Sequence, residues 1–152
     1  MDLQIHDIDI ANWLLGDPTD YKMVEINNPQ LGECDFGHII STIKYSDKRV
    51  AVLEAGHLMP DVYPFYTAYR LICEKGVVEF SRSADIKFTL CKENDLIDMT
   101  EEYNSNYANV NPYFEELSHF ADCIINDKEF DISTGEAKEA VNAVNMLLEN
   151  IF

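Results

Sequence analysis

The order of the helical and extended segments limits the fold of this chain more than any single motif does. One helical pattern covers residues 1–16, strand-like segments follow between residues 22 and 100, and two helical patterns close the chain. Short turns join most of the strand-like segments, which favours antiparallel pairing. Strands and helices segregated in this way are typical of the α+β class. We therefore predict a predominantly antiparallel or mixed open β-sheet with helices packed on one face.

Alternating apolar residues and turn signals place the strands. We predict them over residues 22–27, 38–45, 49–57, 65–73, 77–80, 86–91 and, at shorter length, 95–100. The second and third strands are predicted to form a hairpin, and the apolar residues on both of its faces indicate a sheet that is covered on both sides. The polar stretch 101–111 is predicted to be a loop.

The helical pattern at residues 1–16 is bounded by clear signals. Asp2 places a carboxylate at the positive end of the helix dipole, and Gly16 followed by Pro18 ends the helix. A 3.6-residue period puts four side chains on one side of this helix: Asp2, His6, Asp9 and Trp13. Most of the apolar surface comes from Leu3, Ile5, Ile8, Ala11, Leu14 and Leu15.

The two closing helices also carry start signals. Asn111 is a good N-cap with Pro112 in the first helical position, and Ser133 with Glu136 forms a capping box. The first of these helices has an apolar stripe made of Phe114, Leu117, Phe120, Ala121, Ile124 and Ile125. The buried face predicted for the second consists of Ala137, Ala140, Val141, Val144, Leu148 and Ile151.

Composition excludes some classes of partner. The 152 residues are 47 % apolar, which disfavours disorder, and residues 1–152 are predicted to form a single domain. A formal charge of −17, from 28 acidic and 11 basic residues, repels nucleic acids and anionic membranes. The chain has no apolar run of the ~20 residues that a transmembrane helix needs, and it has no signal-peptide pattern.

Motifs that hold metals, disulfides or nucleotides are missing from the sequence. Four cysteines lie far apart without Cys-x-x-Cys spacing, so we expect reduced thiols in a cytoplasmic protein: Cys34, Cys73, Cys91 and Cys123. The six glycines form neither a Gly-x-Gly-x-x-Gly fingerprint nor a Gly-Lys-Ser/Thr phosphate loop. The chain therefore carries no recognisable nucleotide-binding unit of its own.

One motif resembles a known family. It reads Asp2-x-x-x-His6-Asp7-x-Asp9 and continues as Trp13-Leu14-Leu15-Gly16. It resembles the catalytic helix of the Gfo/Idh/MocA oxidoreductases, the relatives of glucose–fructose oxidoreductase and inositol dehydrogenase. In that family the helix opens the C-terminal, substrate-binding domain and works beside a lysine of the N-terminal, nucleotide-binding domain. The resemblance extends over the whole chain by pattern, and it implies a Rossmann domain that is absent from these residues.

The resemblance implies catalytic roles for His6 and Asp2. A hydroxyl group of a sugar or polyol becomes a carbonyl as hydride leaves for NAD or NADP, and His6 accepts the hydroxyl proton. Asp2, one turn earlier, orients the imidazole or binds a substrate hydroxyl. A non-catalytic interpretation remains open, in which Asp2 only caps the helix and His6 is an ordinary surface or half-buried residue. A metal site at Asp2, His6 and Asp9 is disfavoured, because a closed zinc site needs about four ligands.

Further contacts to substrate are expected from Asp9 and from the aromatic connection that holds His57, Tyr63 and Tyr66. Tyrosines there can stack on a sugar ring or hydrogen-bond its hydroxyls, although they can equally be core or interface aromatics. We expect Trp13 to be a core residue rather than a ligand contact. Arg70 is expected to balance a nearby carboxylate such as Glu74.

The sequence thus predicts the C-terminal domain of an NAD(P)-dependent oxidoreductase acting on a sugar, polyol or related hydroxy compound. The isolated chain is predicted to be inactive, because the cofactor is bound mainly by the missing domain. The resemblance further implies a homo-oligomer, a dimer for example, formed through the open face of the sheet. The alternative is a non-catalytic α+β module that dimerises or binds a ligand.

Overall fold

A computed structural model describes residues 4–27 and 36–150 of the chain. Asp2, Leu3, Cys34 and Ile151, named above, lie outside the described residues. In chain order the elements are α1 (Gln4–Leu15), β1 (Pro18–Asn27), β2 (Phe36–Tyr45), β3 (Val50–Gly56), β4 (Thr67–Cys73), β5 (Gly76–Arg82), β6 (Ile86–Cys91), β7 (Leu96–Asp98), α2 (Thr100–Tyr107), α3 (Pro112–Asn126) and α4 (Thr134–Leu148).

The α+β class is confirmed, and the strands pair in two antiparallel sheets. One sheet has the order β1-β2-β3 and the other the order β4-β5-β6-β7. The chain divides into two compact units, one formed by residues 1–59 with 131–152 and the other by residues 60–130. None of the helices in the described part of the chain is both long and apolar enough to cross a bilayer.

The core of the first unit lies between its sheet and the helices α1 and α4. Alternate residues of β1 and β2 point to these helices, as the two-residue period of a strand requires. The buried apolar set is Ile8, Ala11, Tyr21, Met23, Ile39, Ile43, Tyr45, Ala143 and Leu147. Ile8, Met23, Ile43 and Leu147 have no exposed surface, and burying each such side chain stabilises the fold by about 1.5–3 kcal/mol.

The opposite face of this sheet carries apolar side chains that remain exposed in the part of the chain that the structure describes. Its apolar residues are 41–69 % exposed: Val24, Ile26, Ile40, Val50 and Val52. The prediction that the hairpin of β2 and β3 is covered on both sides is therefore wrong for the structure described. Apolar residues on both faces of a strand indicate that both faces become covered. They do not show whether the cover of the second face comes from the same chain.

His38 lies across β3 on this open face. Its Nε2 is 2.9 Å from Oε1 of Glu54. A Cβ atom at Gly56, which pairs with His38 in the sheet, would overlap the imidazole ring of His38. Gly56 is thus required by the close approach of the imidazole rather than by its own backbone conformation.

Aromatic packing organises the second unit and corrects the prediction of a loop at 101–111. Residues Thr100–Tyr107 form α2. Tyr103 of this helix packs against Phe80 and Phe88, with ring centroids 5.4 and 6.0 Å away. The polar sequence hid the helix, because its stability depends on this tertiary contact and on Asp98, whose carboxylate accepts a hydrogen bond from the Thr100 amide.

Other contacts of this unit differ from expectation in detail. Arg70 pairs with Glu79 of the adjacent strand β5, not with Glu74. The cause is the antiparallel register, which places Arg70 directly opposite Glu79. The three cysteines in the described part of the chain are free thiols: Cys73, Cys91 and Cys123.

The caps of α3 and α4 are confirmed. The Asn111 side chain accepts hydrogen bonds from two backbone amides, and Ser133 with Glu136 forms the reciprocal capping box. The buried side of α3 holds Cys123 beside His119, whereas the apolar stripe predicted for this helix is exposed.

The buried face of α4 is rotated from the predicted one. It centres on Ala140, Ala143 and Leu147, whereas Val141 is 49 % exposed. The apolar surface of this helix is broad, so its sequence alone did not fix which part faces α1.

Candidate functional site

Buried polar contacts set the rotation of α1 on the sheet. Gln4, Ile8 and Ala11 are its buried residues. The Ser41 hydroxyl donates to Oε1 of Gln4 at 2.8 Å, and two turns further on the Tyr45 hydroxyl donates to Oδ1 of Asn12 at 2.9 Å. These links at two points along the helix fix which of its sides faces away from the core.

The outward side of α1 carries two of the predicted site residues, His6 and Asp9. His6, Asp9 and Trp13 are exposed there together, as the helical period indicates. Trp13 is 82 % exposed, so the expectation of a core tryptophan is wrong. Its position explains this, because residue 13 lies almost two turns from His6 and opposite the buried Ile8 and Ala11.

Asp7 is a neighbour that sequence reasoning did not single out. Partial burial raises the pKa of its carboxyl, and the adjacent His6 opposes this shift. The signal in the sequence was an acid directly after the histidine. Helical residues one apart do not face each other, so His6 acts on Asp7 through charge rather than through a hydrogen bond.

Asp2, the predicted partner of His6, lies outside the described residues. The carboxylate–imidazole pair therefore stays a prediction. Asp9, three residues after His6, is the predicted site carboxylate that the structure does describe on this side of α1, and it is exposed.

The aromatic connection after β3 contains the remaining predicted residues. His57 is exposed at the end of β3, and its amide donates to the carbonyl of Gly37 at 2.8 Å. Tyr63 and Tyr66 are 49 % and 52 % exposed, within the second unit. Their side chains are accessible, and their roles in substrate binding stay predictions.

Within residues 4–27 and 36–150, no three His, Cys, Asp or Glu side chains are grouped as a metal site. A shallow polar pocket of about 470 Å³ lies at the start of α2 and is lined by Asp98, Thr100, Glu101, Asn104 and Ser105. His6, Asp9, His57, Tyr63 and Tyr66 do not line it.

Comparison with known proteins gives a clear likeness in fold and none in sequence. No protein-family model matches the chain, and no curated protein matches it. Among solved structures, UDP-N-acetylglucosamine 3-dehydrogenase GnnA from Acidithiobacillus ferrooxidans is similar over 99 % of this chain and 46 % of its own, with 14 % identity and a TM-score of 0.78. An oxidoreductase from Agrobacterium radiobacter, in complex with NAD+, L-tartaric acid and magnesium, is similar over 98 % of this chain and 45 % of its own, with 15 % identity and a TM-score of 0.77.

The WlbA dehydrogenase from Bordetella pertussis, in complex with NADH and UDP-GlcNAcA, is also similar. It matches 97 % of this chain and 44 % of its own length, with 14 % identity and a TM-score of 0.75. The chain thus spans less than half the length of each of these proteins. At the level of fold, the resemblance to a C-terminal domain of Gfo/Idh/MocA-type oxidoreductases is confirmed.

Proposed function

We propose that this chain is the C-terminal, substrate-binding domain of an NAD(P)-dependent oxidoreductase that acts on a sugar, a polyol or a related hydroxy compound. The observation that carries the proposal is the exposed position of His6 on the outward side of α1, in a chain whose fold occurs within dehydrogenases. An exposed imidazole held on a rigid helix is available to a substrate, whereas a core histidine is not.

In the proposed reaction His6 accepts the proton of the hydroxyl group that becomes a carbonyl. A positioned general base of this kind contributes about 10²–10⁴-fold to the rate. Asp2 is proposed to orient the imidazole, and Asp9 to accept hydrogen bonds from other hydroxyls of the substrate. His57, Tyr63 and Tyr66 are proposed to hold the remainder of the substrate through hydrogen bonds and ring stacking.

The residues present do not fit a dinucleotide. Its pyrophosphate is normally held by a glycine-rich turn between a parallel strand and a helix. The sequence has no such fingerprint, and the strands in the described ranges pair only in the antiparallel sense. NAD or NADP is therefore proposed to be bound by another domain, and the 152-residue chain alone is proposed to be inactive.

The proposal is tested by assaying the polypeptide of the complete gene beside the 152-residue chain. We expect reduction of NAD+ or NADP+ by the complete polypeptide with a panel of sugars, polyols and nucleotide sugars, and no turnover by the shorter chain. Turnover or tight NADH binding by the shorter chain contradicts the proposal that another domain binds the cofactor. A complete gene without a dinucleotide-binding region supports the second candidate, a non-catalytic module.

A homodimer through the open face of the first sheet is also proposed. This face is apolar in part, through Val24, Ile40 and Val52, which are 41–69 % exposed. Its rim carries both signs of charge, as in the pair of Lys44 with Asp20 at 3.2 Å. A second copy related by a two-fold axis can therefore match apolar to apolar surface and cations to anions despite the net charge of −17.

Sedimentation tests this interface directly. We expect Val52→Glu to convert a dimer to a monomer, because it buries an unpaired charge among the apolar side chains of the interface. Ile72→Glu is the matched control, since Ile72 is 78 % exposed on β4 in the other sheet. A protein that is monomeric before substitution, or an Ile72→Glu protein that also dissociates, contradicts the proposal.

A further inference from the structure

A polar side chain interrupts the apolar side of α1 that packs on the sheet. Positions 4, 8, 11 and 15 lie on one side of a helix, and the last three of them are held by Ile8, Ala11 and Leu15. The first is Gln4, which has no exposed surface. Burying an amide is unfavourable unless its polar atoms are hydrogen-bonded. A single polar residue in such an apolar seam is known from coiled coils, where it reduces stability and fixes one packing arrangement.

Both ends of the Gln4 amide contact the sheet. Its Oε1 accepts the hydrogen bond from the Ser41 hydroxyl of β2 at 2.8 Å, and its Nε2 reaches the carbonyl oxygen of Leu53 in β3 at 3.5 Å. Ser41 and Leu53 are directly paired in the antiparallel register, so the amide spans two strands that lie about 4.7–4.9 Å apart. Contacts to two strands oppose both rotation of the helix about its axis and sliding along it.

We propose that Gln4 is a positioning residue for the reaction, and that its hydrogen bond with Ser41 holds the His6 imidazole at the substrate hydroxyl. This inference rests on the proposed function, in which His6 is the general base. His6 follows Gln4 by two residues, so it lies only about 3 Å further along the helix axis and projects to nearly the opposite side. Any rotation of this part of α1 therefore moves the two side chains together, in opposite directions.

The size of this coupled movement follows from the dimensions of a helix. A side chain reaches about 5–6 Å from the axis, so a rotation of about 20° moves its end by about 2 Å. At Gln4 such a movement breaks the 2.8 Å hydrogen bond to Ser41. At His6 it exceeds the tolerance of about 0.5 Å within which a catalytic group must be held. Misplacement of a reacting group by about 1 Å can lower a rate by about 10²-fold.

The experiment separates orientation from stability by using the double variant Ser41→Ala with Gln4→Leu in the complete polypeptide. Both positions are then apolar, so its unfolding midpoint should lie above that of Ser41→Ala, in which the Gln4 oxygen is buried without a donor. Its kcat should nevertheless be about 10–10²-fold lower than that of the native protein, because an apolar pair does not select one rotation of the helix.

Tyr45→Phe is the matched control. It removes the corresponding link of the Tyr45 hydroxyl to Asn12, which lies further from His6 along the helix than Gln4 does. We expect it to lower kcat less than Ser41→Ala does. An equal loss of kcat in Tyr45→Phe would assign the positioning to the whole helix rather than to Gln4, and would overturn the inference.

A second measurement tests whether Gln4 acts through His6. The double substitution is repeated in the His6→Ala protein, where a positioning role predicts no further loss of kcat, because the group that Gln4 positions is no longer present. A role in stability alone predicts the same ratio of kcat values in both backgrounds. That result would overturn the inference.

The remaining outcomes distinguish this inference from the proposed function. A native kcat in the double variant overturns the inference and leaves the role of His6 standing. Undiminished kcat in a folded His6→Ala protein overturns the proposed function and the inference with it. If the double variant does not fold, the kcat values of Ser41→Ala and Tyr45→Phe are compared per folded molecule, as measured by circular dichroism. A larger loss in Ser41→Ala supports the inference, and equal values overturn it.

Discussion

The hydroxyl of Ser41 donates a 2.8 Å hydrogen bond to the side-chain oxygen of Gln4, and neither side chain is exposed to solvent. This contact joins the first turn of α1 to the middle of β2. The Gln4 amide nitrogen also reaches the carbonyl of Leu53, at 3.5 Å. A polar pair in an apolar core permits few orientations of the helix, so it determines that His6 faces outward.

Removing the Ser41 hydroxyl tests this role. Ser41→Ala leaves the Gln4 oxygen buried without its donor, which costs about 1–3 kcal/mol of unfolding free energy. The double variant Ser41→Ala with Gln4→Leu should lose less than the sum of the two single losses, because both partners are then apolar. Urea unfolding measures all three, with Ser83→Ala at an exposed position as the control. A Ser41→Ala protein as stable as the control contradicts the assignment.

The close approach of His38 to Gly56 gives a second prediction. Gly56→Ala places a methyl group against the imidazole, and overpacking of this kind costs about 1–3 kcal/mol. His38→Ala should rescue part of that loss in the double variant, since it removes the ring atoms that clash and leaves the Gly37 carbonyl oxygen, 3.0 Å from the added methyl group. Gly135→Ala, inside α4 where the nearest atom would be 3.5 Å away, should be neutral or stabilising by about 0.5–1 kcal/mol. Thermal unfolding that shows no rescue by His38→Ala contradicts the contact.

The protonation of Tyr45 leads us to predict that the unfolding free energy decreases at alkaline pH. Burial first, and Tyr21 second, raise the pKa of Tyr45 to about 12 from the ordinary tyrosine value of 10.0. The folded state therefore keeps the phenol protonated, so its contribution is complete below pH ~10 and is lost as the pH rises through about 12. The loss is at most about 2–3 kcal/mol at 1.36 kcal/mol per pKa unit.

The measurement is the unfolding free energy of the native protein and of Tyr45→Phe from pH 8 to pH 12. The variant loses the hydrogen bond to Asn12 and should be less stable than the native protein at pH 8. Above pH 10 its unfolding free energy should decrease less than that of the native protein. Tyr113→Phe, at an exposed tyrosine of α3, is the control. Parallel curves for the native protein and Tyr45→Phe would contradict the account.

Tyr103 gives a prediction about α2. Tyr103→Ala removes an aromatic ring that contacts Phe80 and Phe88, and should destabilise the second unit by about 1–3 kcal/mol. Tyr107→Ala removes a ring that contacts Tyr103 but is 58 % exposed, so it should cost less than half as much. Hydrogen exchange of the α2 amides measures both, and equal effects of the two substitutions would show that the aromatic contact does not support the helix.

The sequence predicted features that depend on local chemistry. The Asn111 and Ser133 caps were predictable because the residues that form them are three or fewer positions apart, and the α1 side that carries His6 followed from the helical period alone. Features that depend on distant partners were not predictable. The helix α2 depends on Phe80 and Phe88, and the partner of Arg70 is set by strand register. The buried pairing of Gln4 with Ser41 also has no local signal, because the two residues lie 37 positions apart.

The catalytic role of His6 is the central claim, and turnover by a single variant of the complete polypeptide tests it most directly. His6→Ala is predicted to lower kcat by about 10²–10⁴-fold while NADH binding and the unfolding midpoint stay unchanged. His119→Ala, a histidine of α3 beside Cys123, is the matched control and should keep its kcat. Undiminished kcat in a folded His6→Ala protein would contradict the account.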